Sequence, residues 1–268
     1  MIKTPAFTGD RPSASQPEPE NATEPRGALR PLTGVLATPA FLLVVCAALF
    51  AWLHGRRLDS IERRSINSQV ITQRLLEHVE LVAASTVLVV AIAIPLGVLF
   101  TRSRLRPLAG PLLAVANIGQ AVPSIGVLVL LAVTVGIGFG KALIALVLYS
   151  VLPVLRNTIV GLQQVDRSLI DAGRGMGLTK TAVLFRVELP LALPVILAGI
   201  RVALIVNVGT ATLAAFTNAG GLGTLIDVGI KLNRIPILLT GSVLTAVLAL
   251  AIDWLAGIAG QLLRPRGL

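Results

Sequence analysis

The sequence predicts an all-α, polytopic transmembrane helical bundle of about six spans, and three observations predict it. Hydrophobic residues make up 54% of the 268 positions and charged residues 13%, with a mean hydropathy of +0.85, whereas about a quarter of a soluble domain is charged. Residues 35–53 and 81–101 hold no charge at all, and about 20 apolar residues cross a bilayer. The excess of Lys and Arg, 23 against 13 Asp and Glu, falls in short segments between apolar runs. There it orients a membrane protein, and it does not point to nucleic acid.

Taken in order, residues 1–31 mix Pro, Ser, Glu and Asn with both charge signs and no apolar period, so they read as a disordered cytoplasmic tail. The first apolar run begins near Val35, late for a cleaved leader and long enough to span, which makes the first helix a retained anchor. Cys46 within it packs as a small residue and has no partner for a disulfide. Spans are expected at 34–54, 79–101, 109–133, 138–160, 190–216 and 236–262. The uncharged stretch 107–140 is too long for one helix and is interrupted by Gln120, Pro123, Ser124 and several glycines, so it holds one broken span and the start of the next. The resulting organisation is the tail, an extra N-terminal transmembrane helix with an external loop at 32–69, a transmembrane domain at 70–263 with a polar loop at 163–188, and a cytoplasmic C-terminus at 264–268. Cytoplasmic termini put fourteen Lys and Arg inside and eight outside, the favoured bias. Five arginines nevertheless crowd the first outside loop, and a five-span core behind a differently placed first helix is the alternative.

The longest polar interruption, 157–188, reads as helix, turn, helix. Asp166 is placed to cap a short helix whose apolar positions Leu169, Ile170 and Met176 pack against something outside the bilayer. The small residues Ala172 and Gly173, with Gly177 free to take a positive φ, permit close approach of another surface. The physical reading is a docking helix, against the plainer one of an amphipathic connector packed on its own protein.

Asp171-Ala172-Gly173, Gly177, Val187 and Leu189-Pro190 resemble the EAA signature of membrane subunits of ATP-binding-cassette importers, with Asp for Glu at 171, Gly for Ala at 173 and Val for Ile at 187. Further stretches are similar to the permeases of osmoprotectant importers of the type I fold: Gln120-Ala121-Val122-Pro123-Ser124, Tyr149-Ser150-Val151-Leu152-Pro153, Val187-Glu188-Leu189-Pro190 and Gly209-Thr210-Ala211-Thr212, followed by Gly220-Gly221-Leu222-Gly223. The resemblance covers about residues 70–260. It implies a bacterial inner-membrane, multi-pass permease for glycine betaine, carnitine, choline or proline betaine. It further implies a second permease subunit, identical or paralogous, two cytoplasmic ATPases docked through the loop containing Asp171, Ala172, Gly173, Gly177, Leu189 and Pro190, and an extracytoplasmic substrate-binding protein. ATP and Mg would be bound by the partner ATPase, with no cofactor and no catalytic residue in this chain. The sequence agrees: its nearest imitation of a Walker loop, Gly136-Ile137-Gly138-Phe139-Gly140-Lys141, has the wrong spacing and is followed by Ala142, where a hydroxyl would be needed.

Within the spans, Gln120, Pro123 and Ser124 fit two readings equally, the lining of a pathway or a plain kink. Asn207, Thr210, Thr212, Thr217 and Asn218 likewise either line a route or bond neighbouring helices. Arg201 and Asp253 lie at matched depth and are expected to form an intramembrane ion pair. Gly220, Gly221 and Gly223 form an external turn, tight in itself or touching a binding protein. His54 and His78 read as ordinary interfacial histidines, and no spacing suggests a metal site. With Phe 7, Trp 2 and Tyr 1, the chain lacks the aromatic faces for a quaternary-ammonium cage, which moves selection to a separate binding protein. The competing functions are import of another small zwitterion or an amino acid, a secondary carrier, which usually shows inverted repeats and deep acids, and a membrane enzyme, which needs an acid, base or metal cluster.

Overall fold

The computed structural model describes residues 32–102 and 104–263, so the tail and the last five residues lie outside the described part. Its helices are α1 Leu32–His54, α2 Ser60–Ser65, α3 Ser68–Thr101, α4 Arg106–Gln120, α5 Ser124–Thr134, α6 Phe139–Gln163, α7 Arg167–Gly175, α8 Lys180–Val183, α9 Leu189–Leu213, α10 Gly223–Lys231 and α11 Ile235–Leu262. A π turn at Leu184–Glu188 joins α8 to α9, and a 3-10 turn at Ala214–Thr217 ends α9. No strand occurs among the described residues. Five helical stretches are long and apolar enough to cross a membrane, and the count is six when α4 and α5, bent by 87° at their break, are taken together as one span.

Two spans begin earlier than hydropathy indicates. Helix α3 starts at Ser68, not near residue 79, because Asn67 caps it by accepting from the Val70 N–H at 2.8 Å and the polar first turns are made of residues that tolerate helix. Its 34 residues make a rod of about 51 Å, longer than the roughly 30 Å hydrocarbon core, so its start projects from the bilayer. The fifth span runs through Lys180–Thr217. Before Pro190, which has no N–H to give, the Leu189 N–H bonds back to the Leu184 carbonyl. This five-residue reach lets the helix pass the proline unbroken.

Helices α3, α6 and α9 pack into the centre of the bundle. Without water to drive apolar association inside lipid, close packing must hold such helices together. The crossings are accordingly built on small residues: a Cβ at Gly97 would lie 2.5 Å from Thr158 Cγ2, and one at Gly199 would lie 2.7 Å from Asn157 Cβ. Val89 and Ala93 of α3, Val154 and Ile159 of α6 and Ala203 of α9 are buried together at this centre. Helices α10 and α11 form a hairpin beside α9, and α1 lies along α11.

Candidate functional site

The segment between the fourth and fifth spans folds as a short helix fixed at both ends. Asp166 caps α7 by accepting from the Ser168 N–H at 2.9 Å, and that bond holds its carboxyl below the usual carboxylate range. At the other end Gly177 takes φ +85°, the left-handed geometry glycine permits. Gly177 N–H then bonds the Arg174 carbonyl at 3.0 Å and Leu178 N–H bonds that of Gly173 at 3.2 Å, the paired closure of a Schellman motif. Thr179 accepts from Ala182 N–H at 3.2 Å and starts α8 directly. One side-chain cap at its start and a paired closure at its end leave α7 little freedom to move independently of the fifth span.

Expectation and structure differ over which faces are free. Gly173 is buried and faces its own chain: a Cβ on it would sit at ordinary van der Waals distance, 3.5 Å from Val183 Cγ2 and 3.7 Å from Val187 Cγ2. Ile170 is likewise drawn inward, toward Leu162 and Ile196. Leu169 is 48% exposed and Met176 77% exposed; with Ala172 between them at helical spacing they form one outward face. Asp171 and Gly177 are exposed as well. Val187, Leu189 and Pro190 lie beneath, in and after the π turn.

A contact that sequence reading missed ties this segment to the second span. Arg102, just past α3, forks onto Glu188, with Nη2 2.7 Å from Oε2 and Nη1 3.2 Å from Oε1. The partners are 86 positions apart. The only local signal is Glu188 itself, an acid beside an apolar span, since a partly buried carboxylate requires a cation.

The broken span is locked to α6. Pro153 has no N–H, so within α6 the carbonyl of Tyr149 loses its helical donor; Gln120 Nε2 replaces it at 3.1 Å. Tyr149 in turn donates its hydroxyl to the free carbonyls at the end of α4, Val122 at 2.9 Å and Gln120 at 3.3 Å. Pro123 is exposed and Ser124 half-buried. The polar break is thus satisfied by a reciprocal joint with Tyr149, a residue the sequence reading did not single out.

On α9, Asn207 is buried and donates to Thr86 Oγ1 at 3.2 Å. Thr210 is buried, Thr212 donates to the Val208 carbonyl at 3.3 Å, and Thr217 to that of Ala214 at 2.9 Å. Asn218 takes φ 57° and closes the 3-10 turn. Asn207 thus bonds a neighbouring helix, whereas Thr212 and Thr217 bond their own helical backbone. Arg201 meets Asp253 through two bonds, 2.5 Å from Nε to Oδ1 and 2.6 Å from Nη2 to Oδ2, with side chains 45% and 30% exposed on the surface of this chain.

His78 departs from its expected interfacial place. It is fully buried where α3 packs on α9 and the glycine turn, its Nε2 3.2 Å from the Val208 carbonyl. His54 is exposed, its Nδ1 2.8 Å from the Phe50 carbonyl. The glycine turn seals this end: Gly221, at φ +85°, donates its N–H to Glu77 Oε2 at 2.9 Å, and a Cβ on it would lie 3.1 Å from His78 Nδ1.

Residues 93–265 match the family described as the binding-protein-dependent transport system inner membrane component. The chain is 39% identical over 202 residues to the choline transport system permease protein OpuBB of Bacillus subtilis, covering 75% of this chain and 92% of that one. It is 40% identical over 224 residues to the osmoprotectant import permease protein OsmY of Salmonella typhimurium, covering 84% and 93%. Among solved structures, an inward-facing MetNI methionine ABC transporter chain superposes with a TM-score of 0.63 at 26% identity, over 73% of this chain and 96% of that one.

Proposed function

The chain belongs to the family of binding-protein-dependent transport system inner membrane components, and from that premise we propose that it forms the translocation pathway of an importer for osmoprotectants such as glycine betaine, choline or carnitine. It is an inner-membrane permease of an ATP-binding-cassette importer, a transport component and not an enzyme, and works with an ATPase and a substrate-binding protein. The substrate class is supported by the names of relatives that align over nine-tenths of their length. The scarcity of aromatic residues favours a division of labour in which the external protein selects the quaternary amine.

The observation that carries the coupling assignment is the outward face of α7, where Leu169, Ala172 and Met176 lie exposed on a helix capped and anchored at both ends. Exposed apolar side chains beyond the bilayer call for a partner. In this reading two permeases, identical or paralogous, pair across the membrane and each docks one of two cytoplasmic ATPases there, with Asp171, Ala172, Gly173, Gly177, Leu189 and Pro190 forming or seating the contact. ATP and Mg are held by the ATPase. Both termini face the cytoplasm, as the Lys and Arg bias supports. Gln120, Pro123 and Ser124 line the route at the broken span; Asn207, Thr210 and Thr212 join it only when the helices separate.

The test is Gly177→Glu in the complete importer. Nothing lies within 4 Å of the added Cβ position, and the positive φ costs about 1–2 kcal/mol for an L side chain, so the complex assembles in the membrane. Substrate-stimulated ATP hydrolysis falls at least tenfold because the side chain and its charge stand beside the docking face. Undiminished stimulation in the assembled variant overturns the assignment.

A further inference from the structure

We propose that the cleft behind α7 is a binding site for the phosphate headgroup of an anionic phospholipid. The cleft measures about 740 Å³ and opens where four membrane spans begin or end: after α3, before α4, after α6 and before the α8–α9 span. It therefore lies at the membrane surface. Six cations line it, against the single carboxylate of Glu188. That carboxylate is committed to Arg102. Among the described residues, Arg104, Arg106, Arg167, Arg174 and Lys180 have no acidic partner. Five uncompensated cations around one concavity attract an anion, and a basic pocket between spans suits a lipid headgroup.

The rest of the lining separates a lipid from a soluble anion. Leu99, Leu105, Leu162 and Val165 share the cleft with the cations, so it joins a charged mouth to an apolar wall, as the glycerol and upper acyl chain of a phospholipid require and free phosphate does not. The site is distinct from the ATPase-docking face. On α7, Arg167, Ile170 and Arg174 follow one another at helical spacing and line the cleft, while Leu169, Ala172 and Met176 stand on the opposite side of the helix. The inference needs only the cleft's place at the membrane surface and survives if the docking assignment fails.

The experiment uses the full chain, assembled with its ATPase and held in nanodiscs of mixed phosphatidylcholine and phosphatidylglycerol, with the lipid that stays bound after detergent exchange counted by mass spectrometry. Phosphatidylglycerol is retained over phosphatidylcholine, and its apparent affinity falls about fivefold for each charge removed in Arg167→Gln, Arg174→Gln and their combination with Arg104→Gln. Arg167→Lys with Arg174→Lys, which keeps the charge and guards against loss of folding, retains the lipid, as does Arg63→Gln with Arg64→Gln in α2. Equal retention of both lipids, or no effect of the charge removals, overturns the proposal. So does displacement of the lipid by millimolar inorganic phosphate, which would make the ligand a soluble anion. Binding that appears only after residues 1–31 are deleted would identify the tail, with Glu18, Glu20 and Glu24, as the occupant in the intact chain.

Discussion

Gln120, Tyr149 and Pro153 show how a single proline sets the chemistry of its neighbours. Pro153 leaves one α6 carbonyl without a helical donor, and Gln120 supplies it across the break in the third span. Removing a partner from a part-buried acceptor costs up to about 1–3 kcal/mol. Gln120→Ala is therefore expected to lower the thermal stability of the purified permease by that amount. In a Pro153→Ala background, where residue 153 regains its N–H, the same change costs at least about 1 kcal/mol less. A cycle without coupling would mean that Gln120 does not stand in for the missing donor. Sequence reading placed Gln120 at a break but left open whether it lines a route or relieves a kink. The answer for this conformation depends on Tyr149, 29 positions away, which no local pattern connects to it. Arg201 and Asp253 were legible because charges inside apolar spans are few; Arg102 and Glu188 were not, because both sit at span ends where charge is ordinary.

At the scale of elements, apolar length reports where a chain can lie in lipid and not where a helix begins. This is why hydropathy placed every span yet missed the polar first turns of α3 and the helical stretch 180–188. Caps carried the missing information: Asn67, Asp166 and Thr179 each stand immediately before a helix and bond its first turn. The glycine turn before α10 offers an element-level test. A Cβ on Gly223 would collide with the Thr212 carbonyl of α9, whereas one on Gly110, within α4, would meet nothing within 4 Å. Gly223→Ala must move backbone and is expected to cost 1–3 kcal/mol or more. Gly110→Ala should leave stability unchanged or raise it by about 0.5–1 kcal/mol. Thermal unfolding of the two variants side by side checks this, and equal effects would refute the packing of α10 onto α9.

For the whole molecule, the central helices α3, α6 and α9 form a rigid frame closed by small residues, and the functional surfaces lie on its periphery. One end carries α7, whose outward face is apolar and whose inward face lines a basic cleft. Along the side lie the half-exposed Arg201–Asp253 pair and the exposed break at Pro123. A single chain leaves charge and broken backbone at membrane depth open to its surroundings, an arrangement tolerated where protein or a water-filled cavity covers it. This supports a paired permease with a route between the copies. The class of transporter was legible from spacing in one loop, and the osmoprotectant class of substrate from stretches such as Gln120–Ser124 and Gly209–Thr212; which osmoprotectant was not, because the sequence has few aromatic residues from which to read a cage. The central claim, ATP-driven import of an osmoprotectant, is tested most directly by uptake of labelled glycine betaine into cells lacking other betaine importers. The cells express this chain with its binding protein and either an active or a hydrolysis-dead ATPase. Accumulation with the active ATPase that vanishes with the dead one is the predicted result; accumulation that persists with the dead ATPase, or none from a fully assembled complex, would contradict it.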